Sequence, residues 1–278
     1  MERKEIRGPF GWENCDERIK GFIDGFLELL LDRLKDSLTG LYLHGSLAMG
    51  SFYYPKSDLD LIGVASRRLS EGEAKGLNRE IAAYAGKAPG EGGLEFSLVC
   101  GEAALHPAAQ PEYLVHYSGF WRERILRDEV DYRGPLFDGD LPAHFWTVRQ
   151  RGVRLYGAPV EEVFGEVRFS DLKASLEEDF RWILNGKLFS DPCYGILNIC
   201  RLLQLFSGEE TGCHSKEEGG LWALSHLPKE HREPVRKALE CYRTGSCGAG
   251  WDRAELEGFA AYAAGHPALA FSRTVCYT

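Results

Sequence analysis

Residues 41–64 read LYLHGSLAMGSFYYPKSDLDLIGV, and the organisation of the chain follows from this segment. An apolar run leads into Gly45 and Ser46, and after a loop Asp58 and Asp60 alternate with leucines. Alternate residues of a strand point to one face about 6.5–7 Å apart, so we expect both carboxylates to project together. Two carboxylates this close repel each other unless a cation lies between them. We expect Mg²⁺ there, because it binds one or two carboxylates together with phosphate oxygens.

The Gly-Ser pair predicts a phosphate site beside this metal pair. Gly45 lets the backbone approach a ligand closely. A helix beginning near Leu47 would offer free N–H groups to an anion, and the Ser46 hydroxyl can donate to a phosphate oxygen. Together these features indicate phosphoryl or nucleotidyl transfer. The alternative is a turn followed by an ordinary half-buried strand with an acidic outer face. The apolar residues on both sides of the segment favour the site.

A third carboxylate is predicted from LEFSLVC at residues 94–100, which alternates like a half-buried strand. If this strand lies beside the one that carries Asp58 and Asp60, Glu95 comes to the same face. There it could bind the metal or take the proton from an attacking hydroxyl. The alternative is a solvated glutamate on an edge strand, and the two aspartates upstream favour the functional placement.

Apolar periodicity predicts an α+β fold of two domains. The N-terminal domain, residues 1–160, is expected to have a mixed sheet flanked by helices at about 16–37, 70–84 and 140–152, with a short strand at 153–157. A capping box of Ser70 and Glu73 predicts where the second of these helices begins. Beyond residue 160 helical spacing dominates, so residues 161–278 are predicted to form an α-helical bundle. Its expected helices are 170–188, 194–206, 215–226, 230–243 and 252–265.

Composition narrows the class of partner. The 278 residues carry a formal net charge of −9 and no run of lysine and arginine, so nucleic acid is not an expected partner. An acidic cleft instead suits a small cationic substrate. No apolar signal core or membrane-spanning run is present, and the eight cysteines are scattered. We therefore expect a monomeric cytoplasmic protein with reduced, mostly buried thiols and no membrane contact.

Five blocks of sequence together resemble one family. They are residues 41–64, LEFSLV at 94–99, GFWR at 119–122, VRQRGVRLYG at 148–157 with Pro159 and EEVF at 161–164, and ILNICRLLQLF at 196–206 with SKE at 215–217 and LWA at 221–223. The chain resembles the bacterial streptomycin/spectinomycin (aminoglycoside) adenylyltransferases, within the DNA polymerase-β-type nucleotidyltransferase superfamily. The resemblance implies transfer of AMP from ATP to a hydroxyl of a cationic antibiotic.

The resemblance also implies roles for the residues of the first domain. It makes residues 1–160 the nucleotidyltransferase domain, in which Ser46, next to Gly45, contacts the triphosphate. It implies that Asp58 and Asp60 hold Mg²⁺, with two ions expected, and that Glu95 is the base that activates the drug hydroxyl.

The resemblance implies roles for three further residues. Lys216, at the start of a helix of the second domain, would reach the nucleotide phosphates, and Trp121 and Asp191 would contact the drug. The active site would then lie between the two domains. The alternatives are a solvated lysine, an ordinary buried or lid aromatic, and a helix N-cap, respectively. A cation is electrostatically unfavoured in the first turn of a helix, which indicates an anionic ligand for Lys216.

Two other functions stay open at this point. One is a nucleotidyltransferase that modifies a different small molecule or a protein. The other is a nucleotide-binding regulatory module without catalysis, although such a module has no need of a base at Glu95. The antibiotic-modifying enzyme is the function that the sequence favours.

Overall fold

The structure is a computed structural model, and it describes residues 7–208, 212–246 and 250–271. Its packing divides the chain into two compact units, Met1–Ser175 and Leu176–Thr278. This division lies later in the chain than the boundary predicted near residue 160. The predicted α+β class is confirmed, because the first unit contains a mixed sheet with helices and the second is helical.

The first unit contains all the strands of the described residues. They are β1 (Arg7–Phe10), β2 (Leu38–His44), β3 (Phe52–Tyr54), β4 (Leu59–Ala65), β5 (Leu94–Cys100), β6 (Glu112–Tyr117), β7 (Leu136–Phe137) and β8 (Val153–Gly157). Its helices are α1 (Glu17–Leu34), α2 (Gly45–Ala48), α3 (Glu71–Ala85), α4 (Gly101–Leu105), α5 (Arg122–Leu126), α6 (Leu141–Arg151) and α7 (Val160–Val163). Helix α8 (Phe169–Trp182) crosses from the first unit into the second.

The main sheet has the strand order β7-β6-β5-β4-β2-β8. Strands β4 and β5 are parallel and are joined through α3, and the other neighbours are antiparallel. The predicted strands at 58–64, 94–100 and 153–157 are therefore confirmed. The sequence does not predict β3 and β6, because β3 lies in a segment interpreted as a loop and β6 directly follows Pro111. Strand β1 pairs with β3, and residues 1–6 lie outside the described part of the chain.

One face of the main sheet packs against α1 and α3. The alternate residues of β4 and β5 that face these helices are apolar, such as Leu61 and Phe96. Phe26 of α1 and Phe96 are both fully buried, and their rings meet edge to face with centroids 5.0 Å apart. This contact fixes β5 against α1 immediately beside Glu95. The predicted capping box of Ser70 and Glu73 at the start of α3 is confirmed.

The opposite face of the sheet packs against α6 and α7. Tyr42, Ile62 and Val99 of the sheet contact a cluster that includes Leu141 and Phe145 of α6. At one end of this face, all three strands carry polar residues. Because side chains alternate along a strand, His44 of β2, Asp60 of β4 and Glu95 of β5 lie on the same face as these apolar residues. This face of the sheet is therefore apolar where α6 packs on it and polar at one end of the strands.

The second unit is built around one buried helix. Beyond α8, its helices are α9 (Leu188–Ser190), α10 (Pro192–Phe206), α11 (Lys216–His226), α12 (Arg232–Thr244) and α13 (Arg253–Gly265). Helix α10 packs against α11 and α12, and most of its residues are buried, as its nearly all-apolar sequence predicts. The single helix predicted over 170–188 is wrong in one respect. A π-helical turn, Ile183–Lys187, follows α8, because Gly186 adopts φ = +145° and interrupts the regular α-helix.

The thiols agree with the sequence expectation at five positions. Cys15, Cys100, Cys193, Cys200 and Cys213 do not form disulfides and are buried or half-buried. Cys241 is disulfide-bonded, so the expectation of reduced thiols throughout is wrong there. The predicted reduced thiols at 247 and 276 lie outside the described residues. Across the described ranges, no helix combines the length and the apolar character that crossing a bilayer requires.

The contact between α1 and β5 predicts a stability effect. Phe26→Ala leaves a cavity in the core, and we expect it to lower the free energy of unfolding by about 3–5 kcal/mol. Phe137→Ala is the matched control, because that ring is 57% exposed, and it should change the value by less than about 0.5 kcal/mol. Urea denaturation followed by circular dichroism measures both. Equal, small changes in the two variants would contradict this account of the core.

Candidate active site

Three carboxylates meet at the polar end of the sheet. Asp58, Asp60 and Glu95 each place one carboxylate oxygen within 4.8 Å of the others. The register explains this, because Asp60 of β4 is directly opposite Glu95 of β5 and Asp58 lies two residues before Asp60. The predicted placement of Glu95 on the face of the aspartates is confirmed. Among the described residues, neither Asp58 nor Glu95 forms an ion pair, and carboxylates this close repel each other.

The segments that enter β4 and β5 fix Asp58 in place. The backbone N–H of Leu59 donates to the carbonyl of Gly93 across 2.9 Å. A Cβ atom on Gly92 would overlap the backbone of Ser57, so glycine is the residue that permits this close approach. The two loops therefore hold Asp58 beside the beginnings of β4 and β5, where Asp60 and Glu95 lie.

The predicted phosphate turn lies directly beside the carboxylates. His44, the last residue of β2, pairs with Asp60 across the sheet, and α2 begins at Gly45, two residues earlier than predicted. Gly45 has φ = +65°, and a Cβ atom there would overlap Oδ2 of Asp60. The Oγ of Ser46 is buried and has no hydrogen-bond partner in the protein. A buried hydroxyl without a partner is unfavourable unless a ligand satisfies it.

The donor set fits a hard divalent cation. Three clustered carboxylates are ligands that Mg²⁺ prefers, and the Oγ of Ser46, which has no partner in the protein, is a donor for a phosphate oxygen. A site of this kind can bind the phosphates of a nucleotide through a metal and a hydroxyl. If the two aspartates bind the metal, the third carboxylate, that of Glu95, is available as a proton acceptor.

Three histidines, His44, His116 and His144, lie near the carboxylates. The ring of His44 lies 5.1 Å from that of His144 on α6, and burial together with His144 holds the pKa of His44 well below its ordinary value. His44 is therefore a neutral, packed residue at the end of its strand. On the other side of Glu95, the Ser97 Oγ and the Nδ1 of His116 are 3.0 Å apart in a hydrogen bond. Burial lowers the pKa of His116, and the charge of Glu95 opposes that shift.

The sequence does not single out these two neighbours of Glu95. Alternation along β5 places Ser97 on the face of Glu95, and that signal could have identified it. His116 lies on β6, a strand that the sequence does not predict, and His144 comes close only through the packing of α6.

Trp121 lies in the first unit at the beginning of α5. Its ring packs under the guanidinium of Arg124, with 4.5 Å from Cζ to the ring centroid. It lines a cavity of about 240 Å³ together with Tyr113, His116, Tyr132 and other residues of the same unit. Because His116 contacts Ser97 as well, this cavity is connected to the strand that carries Glu95.

The remaining two predicted site residues lie in the second unit. Lys216 is the first residue of α11, and its Nζ is 4.7 Å from the ring centroid of Tyr194. Asp191 caps α10 by accepting the N–H of Tyr194 at 3.1 Å, and its other oxygen is 3.1 Å from Nζ of Lys187. The N-cap alternative for Asp191 is therefore confirmed as a structural role, and its drug contact stays a prediction.

Comparison with known families agrees with this arrangement. Residues 162–266 match the family model described as the aminoglycoside adenylyltransferase C-terminal domain. The chain is also similar in fold to the crystal structure of spectinomycin adenyltransferase AAD(9) from Enterococcus faecialis with ATP and spectinomycin. The TM-score is 0.73 at 22% sequence identity, over 88% of this chain and 97% of that one. No curated protein sequence matched the chain.

The solved structure shares the fold of this chain, and the family match lies in its helical part. The resemblance found in the sequence is therefore confirmed over residues 162–266, which match an aminoglycoside adenylyltransferase domain.

The close approach of Gly45 to Asp60 gives a test of the site. Gly45→Ala forces the Asp60 carboxylate away from its neighbours, so we expect the affinity for Mn²⁺, used as a probe, to fall by tenfold or more. Gly50→Ala is the control, because Gly50 also has a positive φ of +74° but has open space around its Cβ position. Calorimetric titration with Mn²⁺ measures both variants. A Gly45→Ala protein that binds Mn²⁺ as well as the Gly50→Ala protein would contradict the geometry.

Proposed function

We propose that the protein is a Mg²⁺-dependent enzyme that transfers AMP from ATP to a hydroxyl of an aminoglycoside or aminocyclitol antibiotic, giving resistance to streptomycin, spectinomycin or both. The observation that carries this proposal is the cluster of Asp58, Asp60 and Glu95 beside the Gly45–Ser46 turn. Its support from comparison is that the solved structure of similar fold is described with ATP and spectinomycin.

The nucleotide half of the proposed site uses residues of the first unit. Asp58 and Asp60 would hold Mg²⁺, and the Oγ of Ser46 would donate to a triphosphate oxygen, which gives that buried hydroxyl its missing partner. When bound, Mg²⁺ supplies positive charge that stabilises the developing charge on the phosphate oxygens. Gly45 admits the phosphates because it has no side chain between the turn and the carboxylates.

Glu95 is the proposed base. Its carboxylate takes the proton of the drug hydroxyl, and the hydroxyl oxygen forms a bond to the α-phosphorus of ATP. The bond from that phosphorus to the oxygen bridging to the β-phosphorus breaks, and pyrophosphate leaves with the electron pair. The drug then carries AMP as a phosphodiester, and Glu95 returns its proton to solvent. Alignment of the two substrates should contribute much of the acceleration.

The acceptor is proposed to be cationic. The chain carries a formal net charge of −9, and an acidic protein concentrates cations near its clefts. The cavity at Trp121 supports the same substrate class through the rings of Tyr113 and Tyr132 and the exposed carboxylate of Glu129, which has no ion pair among the described residues. The face of Trp121 itself is occupied by Arg124. Aromatic faces attract organic cations.

Two substitutions separate binding from chemistry. Glu95→Gln keeps the shape of the side chain but removes the base, so we expect kcat to fall by about 10²–10⁴-fold while Mg-ATP still binds. Asp60→Asn removes a metal ligand and should abolish turnover together with tight Mg-ATP binding. Glu102→Gln is the matched control, because Glu102 is an exposed residue of α4.

Pyrophosphate release with ATP and a panel of acceptors measures these effects. The panel should contain streptomycin, spectinomycin, other aminoglycosides and small molecules that are not antibiotics. Turnover with only the last group would show a different acceptor class, and normal turnover of Glu95→Gln would rule out Glu95 as the base. Expression of the chain in a sensitive bacterium then shows which drug it inactivates.

A further inference from the structure

A serine and a histidine of the first unit form a hydrogen bond beside the proposed base. Ser97 of β5 and His116 of β6 are directly opposite each other in the antiparallel register, and Oγ of Ser97 lies 3.0 Å from Nδ1 of His116. Ser97 also follows Glu95 by two residues on its strand, so these two side chains share one face of the sheet. The imidazole is therefore attached to the strand that carries Glu95.

Helix α3 holds the main chain of His116 in place. Nδ2 of Asn78 donates to the carbonyl oxygen of His116 across 2.9 Å and to the phenolic oxygen of Tyr132 across 2.7 Å. Asn78 is buried, so these bonds are shielded from water. Both protons of the amide are engaged, which fixes its orientation. His116 thus has a fixed backbone and a fixed hydroxyl partner for its ring.

The hydrogen bond to Ser97 decides which ring nitrogen of His116 carries the proton. Ser97 is 4% exposed, and within the described ranges its Oγ has no other hydrogen-bond partner. The hydroxyl proton is satisfied only by donation to Nδ1, because a buried O–H without an acceptor is unfavourable. A neutral imidazole that accepts at Nδ1 carries its proton on Nε2. Burial lowers the pKa of His116, which favours this neutral form.

The N–H of Nε2 is left for a ligand. His116 is half-buried and lines the cavity that Tyr113 and Tyr132 also line. Because Nδ1 turns toward Ser97, Nε2 is the ring nitrogen left to the cavity, and it has no hydrogen-bond partner in the part of the chain that the structure describes. This donor suits a neutral oxygen, since an ammonium or guanidinium group has no lone pair to accept it.

We propose that His116 is a specificity-determining residue whose Nε2–H donates to a hydroxyl or ether oxygen of the acceptor, and that Ser97 is a positioning residue that fixes the required tautomer. The contact places an oxygen-bearing ring of the acceptor beside the strand of Glu95, while the cationic groups of the acceptor bind elsewhere. The role toward the acceptor rests on the proposed function, whereas the tautomer of His116 does not.

Nitrogen NMR spectra of protein labelled in its histidine rings test the tautomer without any substrate. We expect His116 to carry its proton on Nε2 at neutral pH, and the signals that His116→Gln removes identify it. Ser97→Ala deletes the donor to Nδ1, so we expect both tautomers of His116 to be populated in that variant. A wild-type protein whose His116 carries the proton on Nδ1 would overturn the proposal.

Two substitutions of His116 separate the roles of its two nitrogens. His116→Gln places an amide N–H near the position of Nε2, whereas His116→Asn reaches only the position of Nδ1 and keeps a partner for Ser97. We expect His116→Asn to raise KM for the antibiotic about tenfold with kcat little changed, because one substrate hydrogen bond is lost. His116→Gln should stay within about threefold of the wild type. The matched control is His106→Asn, because His106 is an exposed histidine of the same unit.

Calorimetry measures the same contact without turnover, and circular dichroism checks that every variant is folded. Spectinomycin and streptomycin are each titrated into protein that holds Mn²⁺ and a non-hydrolysable ATP analogue, whose own affinity should be equal in all variants. The proposal is overturned if His116→Asn binds both antibiotics as tightly as the wild type. It is also overturned if His116→Gln loses as much affinity as His116→Asn, since the ring would then act through its packing alone.

These outcomes are distinct from failure of the proposed function. A protein that binds an antibiotic through His116 but releases no pyrophosphate with it would keep the contact and lose the reaction. A protein that modifies an antibiotic with unchanged KM as His116→Asn would keep the reaction and lose this contact.

Discussion

Repulsion among carboxylates at the end of two paired strands is the constraint on which the rest of the site depends. The parallel register of β4 with β5 places Asp60 opposite Glu95, and Asp58 joins them from the residue before β4 begins. A slip of one residue in this register would turn Glu95 into the core and bring an apolar side chain to the site. Packing of Phe96 against α1 prevents such a slip, so the core on one face fixes the chemistry on the other.

The Gly45–Ser46 turn beside the carboxylates is shaped by the same crowding of charge. Gly45 leaves space that the Asp60 carboxylate occupies, and Ser46 keeps a buried hydroxyl without a protein partner. Neither feature stabilises the isolated fold, because the glycine has positive φ and the hydroxyl is unsatisfied. Both are explained if phosphate and a cation complete the site. Unfavourable local features of this kind are characteristic of functional sites.

Sequence patterns predicted the elements whose signals are local. The period of two in β4 and β5 and the capping box at Ser70 predicted strands, the faces of their side chains and a helix start that the structure confirms. What could not be predicted depends on contacts between distant segments. His116 lies on a strand that directly follows a proline, and His144 meets His44 only through the packing of α6. The pairing of Lys187 with Asp191 depends on the π-helical turn at Gly186, which apolar spacing does not reveal.

The claim that a divalent cation completes the three carboxylates is tested most directly by diffraction. Crystals grown with Mn²⁺ and a non-hydrolysable ATP analogue would locate the metal by its anomalous scattering. The account predicts an anomalous peak in contact with oxygens of Asp58 and Asp60, with a phosphate oxygen of the analogue as a further ligand. A bound analogue whose metal lies away from these carboxylates, or whose phosphates do not approach Ser46, would contradict it.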